Sequence, residues 1–328
     1  MVPEFAQQLL HDSSLYQGAI TLFVSLLLSK IAPLPRTIQP LAWFNLLGRE
    51  LAKKVNRRGR SHTQQTIAGT LSTLLLVIPF WAIITFLLQL ADFPWLFEFI
   101  ILYVCLNDEN FNLIAKEINH AIKHEDKVLA REILAPWLSR DTKELTIIGL
   151  RKATIEKLVT TPVYGTAACV LFFILGGAPL VLAARMLKQL ELCWLPFNPH
   201  FRYFSLPVYL LNTLIFALPS WLWNITLAVQ GGPKSLLTLM RPITLNGCIY
   251  HELNTYAVAA SVLNIELGGP MKFNGIKVIT NKLIYGQLPG EHAINDAIRL
   301  IRMSHSIWVG FVILIPLIWA GLRNFPLN

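Results

Sequence analysis

Six stretches of the chain read as near-continuous apolar runs: 15–33, 67–91, 93–106, 163–186, 205–230 and 304–322. A bilayer's hydrocarbon core is about 30 Å thick, so a helix that crosses it needs roughly 20 mostly apolar residues. Soluble helices instead return charge every turn or two. Ile67–Ala91 contains no ionisable side chain at all. The pattern predicts an all-α polytopic membrane bundle of about six spans, forming one integral-membrane domain over 1–328, with two helical polar segments. The run 93–106 is short and interrupted by Glu98. It therefore spans under strain with a buried carboxylate, or Glu98 sits near the head groups.

Composition agrees with this reading. Charged residues make up 14% and mean hydropathy is +0.51, whereas an ordinary soluble domain carries about 25% charge. The net charge of +9 is local and gives no nucleic-acid footprint. Between Pro35 and Gln65 stand Arg36, Arg49, Lys53, Lys54, Arg57, Arg58 and Arg60 against Glu50 alone. Cations concentrated in a short loop mark the cytoplasmic side of a membrane protein, and they also suit anionic head groups. If 93–106 spans, alternation then puts 107–162 and 231–303 in the cytoplasm of a bacterial inner-membrane protein. Before the first run come Glu4, His11 and Asp12 rather than a basic n-region, so that run is expected to be retained. Cys105, Cys169, Cys193 and Cys248 form no C-x-x-C pair and suggest neither a zinc site nor a disulfide framework.

Chemistry belongs to the two polar segments. In 107–162, Phe111, Ile114, Ala115, Ile118 and Ile122 keep helical spacing. A second helix is expected over 125–138. Asp141 and Glu144 resemble a capping box opening a helix that runs through Val159, with Pro162 beginning the next span. In 231–303 a turn-rich stretch around Gly268-Gly269-Pro270 and Gly275 precedes a helix over 291–303. His120 and His124 have ligand spacing, but no H-E-x-x-H surrounds them, and a solvated polar face is the better account. Gly231-Gly232-Pro233-Lys234-Ser235 lacks the full phosphate-loop pattern. None of these motifs assigns a metal ligand. A transporter is disfavoured, because Glu98 is the lone intramembrane ionisable candidate and no inverted repeat is visible.

One ordered series is more specific. Ser139-Arg140-Asp141-Thr142, Ala153-Thr154-Ile155-Glu156, Leu175-Gly176-Gly177-Ala178-Pro179 and Leu267-Gly268-Gly269-Pro270 follow one another. Upstream stand Gln39-Pro40-Leu41-Ala42-Trp43 and Leu47-Gly48-Arg49. This series resembles the CobD/CbiB family of cobalamin biosynthesis from about 36 to 303. The resemblance implies a membrane enzyme that joins aminopropanol, or its phosphate, to a propionate carboxyl of adenosylcobyric acid. ATP and Mg²⁺ are its implied co-substrate and ion, a corrinoid and the lipid bilayer its partners, and a homo-oligomer is left open.

Activating a carboxylate needs cations around phosphate, an oxyanion stabiliser and a base for the amine proton. On that basis the resemblance assigns Arg140 as the cation and Asp141 or Glu156 as metal ligand or base. It places Thr142, Glu191, Gly268, Gly269 and Pro270 at the substrate. The same residues also have structural readings: Asp141 as a helix cap, Arg140 as surface charge, Glu156 on a solvated helix side, and Gly268-Gly269-Pro270 as a turn. The chain departs from the family pattern where carboxylates and amides are expected. Glu-Asn becomes Thr160-Thr161, an Asp becomes Tyr164, an Asn becomes Lys188 and an Asp becomes Glu191. An Asp pair becomes Asn212-Thr213, and a Pro-Asn pair becomes Tyr250-His251. These departures raise the alternative of a binding or signalling homologue similar to the AmpE group.

Overall fold

The computed structural model describes residues 13–34, 39–57, 59–106, 111–196, 198–240 and 252–324. Glu4, His11, Asp12, Arg36, Arg58, Cys248 and the Tyr250-His251 pair lie outside the described residues. In chain order the helices are α1 Ser13–Ile31, α2 Pro40–Val55, α3 His62–Leu90, α4 Pro94–Leu106, α5 Phe111–Lys123, α6 Lys127–Leu134, α7 Ile147–Pro162 and α8 Ala168–Cys193. There follow α9 Leu206–Ile215, α10 Ala217–Gln230, α11 Pro233–Met240, α12 Leu253–Leu263 and α13 Ala293–Asn324. Four short strands, β1 Glu266–Gly268, β2 Met271–Phe273, β3 Ile276–Val278 and β4 Lys282–Ile284, lie between the last two helices.

Three helical stretches are long and apolar enough to cross a membrane: His62–Leu90, Ile147–Cys193 and Ala293–Ile318. They cover the expected runs 67–91, 163–186 and 304–322. Leu71, Leu75, Phe86 and Leu90 on α3 are exposed. Such a surface suits lipid, because a helix satisfies its backbone polar groups internally and needs no water on that face. The expected span 205–230 is instead two helices, α9 and α10, bent by 50°. Counted as one span, the pair raises the number from three to four. The runs 15–33 and 93–106 form shorter helices, so six full-length spans are not present among the described residues. Glu98 is half-buried in α4 and faces the break in α8, where a Cβ on Gly177 would stand 3.8 Å from its Oε1.

Several elements correct the sequence reading. Residues 40–55 form an amphipathic helix rather than a plain loop; its Leu41, Phe44, Gly48 and Ala52 face inward while Lys53 and Lys54 close its last turn. α7 opens at Thr146, whose side chain accepts from Gly149 N at 3.2 Å. Asp141 is therefore not its cap. Pro162 does not separate two elements: α7 runs through it into a π-turn, Val163–Ala167, and on into α8. A proline ring removes one amide donor from the helix, and the freed geometry is absorbed locally, with the Trp223 indole donating to the Val159 carbonyl at 3.0 Å. The real break lies at Gly177, whose φ of +68° is open to glycine at little cost. The helix expected over 291–303 begins at Ala293 and forms the first turns of α13, continuous with the last span.

The second polar segment is not wholly helical either. β1 pairs antiparallel with β4 and β2 with β3. Turn-rich sequence hid these ribbons because each strand is only three residues long.

The two polar segments form one body. Asp141 N donates to the Lys272 carbonyl at 2.8 Å, Lys152 pairs with Glu266 at 2.6 Å, and Asn119 Nδ2 donates to Asn295 Oδ1 at 3.2 Å. One apolar core runs from Phe111, Ile118 and Leu150 through Val159 and Trp223 to Tyr256, Leu267 and Ile294. A second cluster joins α2, α3 and the end of α8 around Trp194 and Phe204.

α3 approaches the turn before α9 so closely that a Cβ at Gly69 would collide with the Phe204 carbonyl oxygen. Small residues at such crossings let backbones meet within a membrane. Gly69→Val is expected to destabilise the fold by about 1–3 kcal/mol, the usual cost of overpacking. Gly310→Ala, where a Cβ meets open space, should be neutral. Thermal unfolding of the two variants in detergent checks the contrast.

Candidate active site

A cleft opens where α7, the π-turn, α8 and α12 meet the 137–140 loop. Its inner chamber is lined by Arg140, Glu156, Lys157, Tyr164, Lys188 and Glu252, with Trp137, Met271 and Phe273 as apolar wall. Six of the lining residues, among them Ser139, Lys157 and Gln189, are shared with a wider outer chamber. There α2 contributes Asn45 and Arg49. The inner chamber holds about 90 Å³ and the outer about 550 Å³. The inner one thus suits a small charged group and the outer one a larger body.

Glu156 is the hub. It is only 2% exposed, which overturns its placement on a solvated helix side. Its Oε2 accepts from Arg140 Nη2 at 2.6 Å and its Oε1 accepts from Gly268 N at 2.8 Å. The second bond needs the backbone of β1 to turn toward α7. Gly268 does so with φ +70°, at a point where a Cβ would lie 2.6 Å from the Asn281 carbonyl oxygen. Charge-assisted bonds of this length are among the stronger ones proteins make. They fix the Arg140 guanidinium at the cleft wall, so Arg140 is not a free surface charge.

A second network lies deeper. Lys188 Nζ stands 3.2 Å from Glu252 Oε1 and 3.4 Å from Glu191 Oε1, with the Tyr164 ring centroid 3.9 Å away. The hydroxyls of Tyr164 and Tyr256 donate to Glu252 at 2.9 and 3.0 Å. Arg185 donates to the Tyr164 carbonyl at 3.2 Å. Tyr164 sits on the π-turn, a widened helical turn of a kind often found at functional sites.

Of the residues singled out from sequence, Arg140 and Glu156 line the cleft, Gly268 buttresses Glu156, and Glu191 reaches the cleft through Lys188. Asp141 and Thr142 point elsewhere. Asp141 Oδ2 accepts from Gly275 N at 2.8 Å, holding the β2–β3 turn. Thr142 is buried and bonds the Arg131 carbonyl at 3.5 Å. Beside them Lys272 pairs with Glu144 at 2.8 Å; that hydrogen bond raises its ammonium above the ordinary lysine range, and the charge of Asp141 acts in the same sense. Gly269, with φ +107°, and the exposed Pro270 complete the turn from β1 toward β2.

The donor set does not suit a protein-held Mg²⁺. A hard cation needs several open oxygen ligands. Both Glu156 oxygens and both Glu252 oxygens already accept bonds, and Glu191 faces an ammonium. Among the described residues no group of three His, Cys, Asp or Glu side chains could hold a metal. Exposed His120, in the last turn of α5, and His124, just past its end, lie with rings tilted by 53° and Nε2 atoms 3.2 Å apart, and among the described residues no third such ligand joins them.

Residues 22–301 match the family model described as CobD/Cbib protein. The chain belongs to the CobD/CbiB family. Similar curated proteins include the cobalamin biosynthesis protein CobD of Stutzerimonas stutzeri, 26% identical over 292 residues, covering 87% of this chain and 93% of that protein. The CobD of Chromobacterium violaceum is 24% identical, covering 89% and 94%. The cobalamin biosynthesis protein CbiB of Salmonella typhimurium is 23% identical, covering 86% and 90%. No solved structure matches.

Sequence reasoning passed over Lys157, Tyr164, Lys188 and Glu252 as site residues. Yet a signal was present: Thr160, Thr161, Tyr164 and Lys188 are places where the chain departs from the CobD/CbiB pattern, and all four line this cleft. These four meet in space although they are spread over 29 positions of sequence, whereas Asn212 and Thr213, which also depart, do not line the cleft.

Removing one partner of a buried ion pair leaves an uncompensated charge, at a cost of about 3–5 kcal/mol. Arg140→Ala and Glu156→Ala are each expected to destabilise by that order. The double variant should cost clearly less than their sum. A double-mutant cycle on denaturation midpoints in detergent measures the coupling; strict additivity would refute the bridge.

Proposed function

We propose that the chain is the membrane enzyme that forms the amide between aminopropanol, or its phosphate, and a propionate carboxyl of adenosylcobyric acid. The observation that carries this reading is a membrane-embedded CobD/CbiB chain whose cleft sets Arg140, Lys157, Arg185 and Lys188 around a small polar chamber. ATP is the proposed co-substrate. The corrinoid carboxylate attacks the γ-phosphorus, giving an acyl phosphate and ADP. The amine then adds to the acyl carbon, phosphate leaves, and the amine proton passes to a carboxylate.

Each residue has a part in this scheme. Arg140 and Lys157 neutralise phosphate charge as it develops, which is where fixed cations gain most. Glu156 positions Arg140. Glu252, held by two tyrosine hydroxyls, is the wall carboxylate nearest to hand for the proton. The outer chamber takes the bulk of the corrinoid. No step is routed through a metal held by the protein. The cations around α2 support a cleft on the cytoplasmic face of the inner membrane.

Purified full-length protein in detergent, given ATP, aminopropanol phosphate and adenosylcobyric acid, should yield adenosylcobinamide phosphate by mass spectrometry. Arg140→Ala should lower the rate by about 100-fold or more, the scale of removing one oxyanion-type contact. No product, under conditions where the Stutzerimonas stutzeri relative makes it, would refute the reading. Asp141→Asn, away from the cleft, should leave turnover within about tenfold while lowering stability by about 1 kcal/mol, the worth of one hydrogen bond.

A further inference from the structure

Lys188 is 4% exposed and Glu191 6% exposed, so both charges have left water. Burying an ammonium is costly unless charge and contacts compensate it. Here the compensation is unusual in shape. Nζ does not close on one carboxylate at the usual charge-assisted distance of about 2.7–2.9 Å. It stands between two carboxylates, 3.4 Å from each Glu191 oxygen and 3.2 Å from Glu252 Oε1, with the Tyr164 ring face covering a third side. The two carboxylates come from elements far apart in sequence, α8 and the start of α12, and they converge on this one cation. The ammonium also forms part of the cleft wall.

We propose that Lys188 is a resident cation of the cleft: its ammonium occupies the gap between Glu191, Glu252 and the Tyr164 ring that a divalent ion would otherwise fill, so that this chain's own carboxylates recruit no metal. Without the ammonium, buried Glu191 and the partly buried Glu252 would lose the cation that stands between them. Mn²⁺ or Mg²⁺ from solvent would restore that charge, and flexible glutamates can close the roughly 1 Å to ligand distance. Positions 164 and 188 both depart from the CobD/CbiB pattern, and here they touch, Lys188 over Tyr164. The ring in that place supports an ammonium through its electron-rich face, while its hydroxyl is turned to Glu252 Oε1 as a donor. Specificity for the counter-ion is thus written into one side chain.

This inference rests on the cleft being the working site, but its test needs no turnover. Detergent-purified full-length chain is titrated with Mn²⁺, without nucleotide, and free ion is read by EPR. Wild type and Lys188→Arg should bind no Mn²⁺ in the cleft. Lys188→Gln and Lys188→Met should each gain one site per chain, displaced by Mg²⁺ and at least about tenfold tighter than any binding to wild type, a difference of about 1.4 kcal/mol. Adding Glu191→Gln to either variant should abolish the gain. Folded Lys188 variants that bind no Mn²⁺ would overturn the proposal. So would a site in wild type that Glu191→Gln removes, and this arm decides the matter even if the Lys188 variants fail to fold. Absence of amide product alongside the expected Mn²⁺ pattern would count against the synthase reading alone.

Discussion

The carboxylate of Glu156 ties the working part of the molecule together. α7 runs without interruption into a membrane helix, so whatever α7 holds is held against the bilayer. From that helix Glu156 reaches Arg140 on one side and the backbone of Gly268 on the other. A loop of the first polar segment and a ribbon of the second are thereby fixed to the same rigid rod. The low dielectric of a buried site makes such bonds strong when complete and expensive when broken.

The bilayer imposes the other constraint. Apolar outer faces are free to be continuous, but every irregularity inside must satisfy its backbone within protein. Two such points shape the cleft. The π-turn after Pro162 is covered by Trp223 and by the side chains that meet Tyr164, and the break at Gly177 uses the one residue type that tolerates its φ. The first irregularity aims Tyr164 into the cleft, so a local helix defect becomes part of the site's chemistry. The second lets α8 bend and still reach back with Arg185, Lys188 and Glu191.

Electrostatically the cleft is a balance of fixed charges. Arg140 is matched to Glu156, and Lys188 is matched to Glu191 and Glu252. Lys157 and Arg185 add to a wall whose cations outnumber its carboxylates. Phosphate-bearing ligands suit such a wall. The same pairing leaves the acidic groups with their oxygens in use, so a hard ion finds no ready ligand set among them.

The amino-acid sequence alone determined the environment and the kinship. Runs such as 67–91 carry no charge over a length that matches a bilayer, and hydropathy needs no tertiary partner to be read. The motif order from Arg140 to Gly268 likewise survives in one dimension, as do Arg140 and Glu156 as the residues to watch. Three things were decided only in three dimensions. Asp141 looked like a helix cap because Glu144 follows it, yet its oxygen went to Gly275, 134 positions away. The ribbons over 266–284 were hidden because three-residue strands have too little periodicity to show. And the lysine cage could not be foreseen, since Lys188, Glu252 and Tyr164 lie on separate elements, and only the packing of α8 and α12 around a bent helix brings an ammonium between two carboxylates.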